Sequence, residues 1–279
     1  MTERQYRRRG AAVVAAGVVA CAGAGGCVSS GAVLDDGRGG ERERVEVVRG
    51  AAAELVDARS AKARTSMEMA SGGTRVTIRG EGVYDFRRQV GRLKVLLPQD
   101  PAGATAHRPI TELLSPGALF MKNRGAGVPA DKWVRVETAT MPDGNLVTGG
   151  ATDPSAAAEV LLGARSVEYV GEERVGGAGV THYRGTADLR RAAEHASEGS
   201  RDALAAAAKG FATALVPFDV YLDDEGRIRK IRHRFSFVNG QQEGPVAVAS
   251  TTLLFDFGVP VDVRLPERED IYAGRIAEG

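Results

Sequence analysis

The sequence predicts an α+β domain: a long antiparallel β-sheet covered on one face by helices. Three observations carry this. Apolar and polar residues alternate with period two in short runs between Thr65 and Phe257, separated by Gly, Pro, Asp and Asn, the pattern of an antiparallel meander. Helical spacing marks residues 41–59, 154–162 and 201–215, with a further short helix after Asp188. One face of the alternating strands is apolar and must be covered. Those three helices are the candidates to cover it, which gives a layered α+β arrangement.

The chain opens with a segment of a different kind. Arg7-Arg8-Arg9 precede the uncharged run Gly10 to Ala20, and small residues follow. A basic stretch, a short apolar stretch and small residues form a secretory signal, assigned to residues 1–20. The apolar stretch is shorter than the roughly 20 residues of a spanning helix, so an uncleaved anchor is the lesser alternative. Val18-Val19-Ala20-Cys21 resembles a lipobox, in which the cysteine accepts a diacylglycerol and the chain is cut before it. Ala24-Gly25-Gly26-Cys27 is a poorer match and the alternative anchor. A Cys21–Cys27 disulfide would close only a tiny loop. Arg7-Arg8-Arg9 lack the bulky apolar residues that follow them in twin-arginine signals. Residues 21–40 are rich in Gly, Ser and Ala and read as a flexible tether.

The body reads in order from there. Val45, Val48, Ala52 and Leu55 share one face of the first helix. Val76, Ile78, Gly82 and Tyr84 alternate with Thr77, Arg79, Glu81 and Val83, and Leu93, Val95 and Leu97 continue the pattern. Short strands follow at 110–114, 118–122 and 133–136. Asp153-Pro154 starts a helix, since Asp caps and Pro at the first helical position loses no needed N–H. Strands return at 167–173 and 180–186. In the helix over 201–215, Leu204, Ala208, Phe211 and Leu215 lie on one face, and Pro217 stops it. Strands at 218–222, 228–238 and 246–257 end the pattern, and the chain from Pro260 reads as irregular. Residues 41–266 form one domain and 267–279 a tail.

Composition narrows the chemistry. Removing residues 1–20 takes away Arg4, Arg7, Arg8, Arg9 and Glu3 and leaves 33 basic and 35 acidic residues. A net charge near −2 is no footprint of a nucleic-acid binder. The body has no cysteine. His107, His182, His195 and His233 have no metal-ligand spacing, and no cofactor or metal site is expected. His182 reads as a half-buried structural histidine, and His233 as one pointing inward beside Ile231 and Phe235. Asp223-Asp224-Glu225 lack the further oxygen ligands of a calcium loop and read as solvated acids on a hairpin turn. There is no Gly-x-Ser-x-Gly elbow and no phosphate loop. A non-enzyme is expected.

Several segments, in order, carry a family resemblance. They are Gly80 to Phe86, Lys132-Trp133-Val134, Asp153-Pro154-Ser155, Thr181 to Thr186, Pro217 to Asp223, and Phe255 to Gly258. With the lipobox in front, the chain resembles the LppX/LprG-type lipoproteins of actinobacteria, which have a LolA-like fold. The resemblance implies a strongly bent antiparallel half-barrel, helices covering its concave face, and an apolar cavity between. It implies a lipid-anchored protein on the extracytoplasmic face of the cell membrane that binds or transfers a lipid or other amphiphile without catalysis. The apolar strand positions that would line the cavity are Val76, Ile78, Leu93, Val95, Val134, Val136, Val220, Ile231, Phe235 and Phe237. Alternation alone does not separate a cavity from a dry core. The competing expectation is therefore a structural or regulatory envelope lipoprotein with a filled core that binds a protein partner.

Overall fold

The computed structural model describes residues 36–71, 74–98, 108–125, 127–149, 151–238 and 245–274. The signal, residues 21–35 of the expected tether, both cysteines and His107 lie outside the described residues, whereas residues 36–40, expected as tether, form the first turn of a helix that starts at Asp36 and not at 41.

Among the described residues eleven strands form one open antiparallel sheet. In chain order they are β1 (Ser60–Ser71), β2 (Thr74–Asp85), β3 (Val90–Leu96), β4 (Ile110–Ser115), β5 (Ala118–Lys122), β6 (Val134–Glu137), β7 (Ala164–Val175), β8 (Ala178–Asp188), β9 (Leu215–Leu222), β10 (Ile228–Val238) and β11 (Pro245–Phe255). Their order across the sheet is β6-β5-β4-β3-β2-β1-β11-β10-β9-β8-β7. Four helices accompany them: α1 (Asp36–Asp57), α2 (Pro154–Glu159), α3 (Leu189–His195) and α4 (Glu198–Gly210). A 3-10 turn over Val160–Gly163 extends α2. The architecture is the expected α+β half-barrel, with the sheet curled around the helix layer.

The curl has a visible cause. Gly82 of β2 turns its side-chain position inward, where a Cβ would lie 1.8 Å from the carbonyl oxygen of Arg92. Only glycine lets adjacent backbones approach so closely on the inside of a bend. The inner face then meets the helices in one core that includes Tyr84, Leu93, Leu119, Val220 and Phe235 from the strands, and Val48, Leu55, Leu161, Leu189 and Leu204 from the helical side.

Polar contacts tie the helix layer down. Asp153 caps α2, accepting hydrogen bonds from the backbone N–H groups of Ser155 (2.7 Å) and Ala156 (3.3 Å) and from the Tyr84 hydroxyl (3.3 Å). Gln89, on the β2–β3 turn, donates to the Ser197 hydroxyl at 2.8 Å, and Ser197 donates to Glu159 at 3.0 Å. Arg44 of α1 donates to the Val167 carbonyl at the sheet edge.

Besides the early start of α1, two elements differ from the sequence reading. The helix predicted over 201–215 ends at Gly210, and Leu215 begins β9. A Cβ at Gly210 would lie 1.9 Å from the Pro142 carbonyl oxygen, so the helix runs into the loop at 141–152. Phe211 leaves the helix and stacks on Phe235 with 4.8 Å between ring centroids. The second difference is the C-terminal stretch. It is irregular, as expected, but it is packed: Val263, Val261 and Ile271 cover Val90, Leu113, Phe120 and Trp133 on the outer face of the sheet. Trp133 belongs to this patch and hydrogen-bonds through its backbone to Asp270 and Tyr272.

Candidate functional site

The sheet's inner face is where the sequence places its candidate lining residues, and the structure brings most of them together there. Leu93, Val95, Val134, Val220, Ile231 and Phe235 are buried in the shared core, each at most 3% exposed. Ile78 and Val136 are partly buried against the same core. Val76 is half-buried near the start of β2. Phe237 is a residue of β10, but its side chain lies outside the described residues. These side chains share one core with residues of the helices and with Leu146, Val147 and Ala151 of the loop at 141–152.

Among these apolar residues the inner face also carries polar ones. Thr65 of β1 and Thr252 of β11 are register partners, and so are His233 of β10 and Ser250 of β11. All four are buried. The 141–152 loop lies over them. Its Thr152 hydroxyl sits 2.6 Å from the Ser250 hydroxyl and donates to the Leu146 carbonyl at 3.0 Å. Asp143 organises the loop by accepting from the backbone N–H groups of Asn145, Val147 and Thr148. From the β5 side Arg124 donates to the carbonyls of Thr148 and Gly149. The loop is thus a strap ordered internally by Asp143 and tied to the sheet through Arg124 and Ser250.

Several polar atoms beneath and beside this strap have no hydrogen-bond partner among the described residues. They are the hydroxyls of Thr65 and Thr252, both side-chain atoms of Asn145, Nε2 of His233 and both carboxyl oxygens of Glu112 on β4. A buried polar group left without a partner costs about 1–3 kcal/mol. Most native proteins keep few of them. Charge has been suppressed here. Burial pushes the Glu112 carboxyl up to about 8, only partly offset by Arg124. Burial pushes the His233 imidazole down to about 3. At neutral pH both are mostly uncharged, so this part of the interior offers neutral donors and acceptors beside apolar walls.

The sequence reading found His233 but missed Thr65, Asn145, Thr152, Ser250, Thr252 and Glu112. Four of these carry a signal in the alternation. Thr65 interrupts the inward series Ala61, Ala63, Met67, and Ser250 with Thr252 interrupts Val246, Val248, Leu254. Glu112 sits between Ile110 and Leu114 on the inward side of β4. Asn145 and Thr152 belong to the strap, where no periodicity exists to be broken.

The outer face behaves differently. His182 is buried, with Nδ1 2.9 Å from Glu173 and Nε2 3.0 Å from Asp219, and it stacks on Tyr221. Arg184 and Arg234 also donate to Asp219. Burial works against the charge on Asp219, but hydrogen bonds from Arg184, His182 and Arg234 outweigh it and hold the carboxyl below its ordinary range. Both ring nitrogens of His182 are taken up by carboxylates, and neither faces a hydroxyl nucleophile. Asp223 is not the solvated acid the sequence suggested. Its side chain is only 6% exposed and accepts from the backbone and side chain of Arg227. Among the described residues no group of His, Cys, Asp and Glu is placed to hold a metal ion. None of the helices described is long and apolar enough to cross a membrane.

No family model matches the sequence, and no curated protein does. Solved structures do. The lipoprotein LppX of Mycobacterium tuberculosis is similar at 10% identity and a TM-score of 0.44, over 78% of this chain and 99% of that one. LprF of Mycobacterium bovis is similar at 13% identity and a TM-score of 0.38, over 81% and 97%. A DUF1329 family protein from Desulfovibrio piger is similar at 11% identity and a TM-score of 0.33, over 78% and 95%.

Proposed function

We propose that this is a lipid-anchored protein of the extracytoplasmic membrane face that binds or hands on a lipid or other amphiphile between its sheet and its helix layer, without covalent chemistry. The observation that carries this reading is the set of unpartnered, uncharged polar groups on an otherwise apolar inner face. An amphiphile would satisfy both. Its polar but uncharged groups would bond Thr65, Thr252 and Asn145 under the strap, and its chain would lie along Val220, Ile231 and Phe235. Apolar burial would supply roughly 0.8 kcal/mol per CH₂. The helix layer suits such a role. Much of what α2, α3 and α4 bury is alanine: Ala156, Ala157, Ala158, Ala192, Ala193, Ala203, Ala207 and Ala208. Such short side chains interdigitate little, so lifting this layer costs less than parting a Leu-rich interface. The lipobox-like Val18-Val19-Ala20-Cys21 supports the anchor, with Cys27 as the alternative acceptor.

A second reading rests on the tight fit of Leu93, Val95, Val220 and Phe235 against the helices: a filled core whose partner is another envelope protein. One experiment separates the two. Native mass spectrometry of the protein purified from its own membrane, before and after organic extraction, reads any bound lipid. Phe235→Ala is then compared by thermal melt and by lipid loading on the same sample. The amphiphile reading expects an extractable adduct that Phe235→Ala loses while the protein stays folded. No adduct, with ~3–5 kcal/mol of stability lost as for large-to-small core changes, would favour the filled core.

A further inference from the structure

The outer face of the sheet is strongly basic at its centre, although the chain without its signal is slightly acidic. The outward positions of β3, β2, β1 and β10 carry Arg92 and Lys94, Arg75 and Arg79, Lys62 and Arg64, and Lys230, Arg232 and Arg234. The outward carboxylates on the same strands are Glu68, Glu81 and Asp85. Between the two basic banks runs β11, whose outward residues Ala247, Ala249, Thr251, Leu253 and Phe255 are small or apolar. Grooves follow this line. One of about 600 Å³ lies between Lys62, Arg64, Arg92 and Lys94, with Phe255 in its lining. The next, about 270 Å³, shares Arg64 and Lys94 with it and adds Arg79, Leu96 and Leu253. A third, about 190 Å³, lies between Arg75, Arg232 and Arg234.

Most of this charge is free to act outward. Arg79, Arg92 and Lys94 are exposed and make no ion pair among the described residues. Lys62 pairs with Asp256 at 2.8 Å, Arg232 with Glu68 at 3.8 Å and Arg234 with Asp219 at 2.6 Å, and Arg64 lies over the Phe255 ring at 4.8 Å. Leu96 is exposed beside them. The described part of the C-terminal stretch packs on the apolar patch of Val90, Leu113 and Phe120.

We infer that this face docks on an anionic phospholipid surface, its cations meeting phosphodiester headgroups and Leu96, Leu253 and Phe255 reaching the interface. Charge complementarity sets the sign. The extent selects a surface over a single strand of polymer: the basic area crosses five neighbouring strands, about 20 Å at 4.8 Å spacing, and runs along most of their length. Apolar residues among the cations match a boundary with a headgroup layer and an acyl region, not a fully hydrated polyanion. Each Lys or Arg near such a surface is worth about 1 kcal/mol, falling off within a Debye length. The inference stands on the outer face alone and does not depend on what the inner face holds.

The test uses the full chain with Cys21→Ala and Cys27→Ala, so that no lipid anchor acts. Binding is measured by flotation with vesicles of phosphatidylcholine alone or mixed with phosphatidylglycerol. Binding that needs phosphatidylglycerol and weakens with salt is expected. Arg64→Gln/Arg92→Gln/Lys94→Gln should lower the partition coefficient roughly 100-fold, from ~1 kcal/mol per cation. Arg190→Gln/Arg191→Gln/Arg201→Gln, on the helix side, makes the same change in net charge and should leave binding within about threefold. Any binding through the signal segment is common to all variants. Circular dichroism checks that each is folded, and Lys94→Gln alone, expected to cost roughly fivefold, keeps the test open if the triple variant is not. Equal losses from both triple variants would overturn the inference, as would binding indifferent to phosphatidylglycerol. Binding of soluble polyphosphate without any binding to vesicles would also overturn it.

Discussion

The two faces of this sheet use polar residues in opposite ways. On the inner face the side-chain oxygens of Thr65, Thr252 and Glu112 are buried without partners among the described residues. On the outer face His182 and Asp219 are equally buried, but every charge among them is matched: Asp219 meets His182, Arg184 and Arg234, and His182 meets Glu173. The outer groups are held by the fold. The inner groups cost the fold stability, a cost that the amphiphile proposed above would offset. The contrast fixes the sign of each substitution: removing polarity inside should stabilise the free protein, and removing charge from the matched cluster outside should destabilise it.

Glu112 gives the largest effect. Its carboxyl is raised from 4.5 to about 8 in the folded protein. The folded state therefore binds the proton more tightly than the unfolded chain. This contribution is intact below about pH 4.5 and is lost as pH rises to 8 and beyond. The loss amounts to roughly 4 kcal/mol by pH 8. Glu112→Gln has no proton to lose. Denaturant melts across pH 4 to 9 should show the variant gaining on the parent as pH rises, with little difference at pH 4. A gap independent of pH would mean that Glu112 is not titrating in the core.

Asp219→Asn probes the matched side. The substitution leaves His182, Arg184 and Arg234 facing a neutral amide. Removing one partner from a fully buried ion pair costs about 3–5 kcal/mol. Arg184 and Arg234 are about half exposed and regain water, so about 2–3 kcal/mol is expected. Because the folded carboxyl lies below its ordinary range, its stabilisation is present above about pH 4 and fades as pH falls through the folded value. The gap between parent and variant should therefore be full at pH 7 and shrink toward pH 3, opposite in direction to the Glu112 profile. The same cluster corrects a simpler expectation from the sequence. Alternation assigns Arg234 to the outer face, where a substitution would change little. Its 2.6 Å bond to Asp219 makes Arg234→Glu a like-charge contact instead.

The alternation legible in the sequence explains why the strands and the helix-facing side of β10 were readable, and also what was not. Ile231, His233 and Phe235 point inward and Arg232 and Arg234 outward, as period two requires. A strand's parity tells which face a residue takes but not what it meets there. Nothing in Phe-Asp-Val-Tyr says that Asp219 will face His182 and two arginines from neighbouring strands, since those contacts depend on register. The end of α4 escaped for a similar reason: Gly210 stops the helix against Pro142, some 70 residues earlier in the chain. The apolar cover over Phe120 and Trp133 comes from a C-terminal stretch without periodicity, which pattern reading leaves unplaced. The inner-face threonines and serine were visible as breaks in parity, but a polar residue in an apolar series does not by itself say whether the fold bonds it.

Thr252→Val should have the smallest effect on stability and says most about the inner face. Thr252 is 1% exposed, and its hydroxyl has no partner among the described residues. Valine has nearly the same shape and the same branched Cβ, so strand preference and packing are preserved. The substitution removes a buried, unpaired donor and acceptor and puts a methyl group in its place. If the hydroxyl serves only the fold, it is a net loss to it, and Val should raise stability by about 1–2 kcal/mol. If it meets the polar part of an amphiphile, a second consequence follows. The lipid-free protein should melt higher than the parent, while the lipid-loaded protein should lose most of that advantage, because the ligand's bond to Thr252 is gone. Melts on extracted and unextracted samples, with adduct occupancy read on each, separate these outcomes. A gain of the same size in both samples, with occupancy unchanged, would remove Thr252 from the binding site. A loss of stability in the extracted protein would show that the hydroxyl is bonded within the fold, and the contrast between the two faces would fail at its central residue.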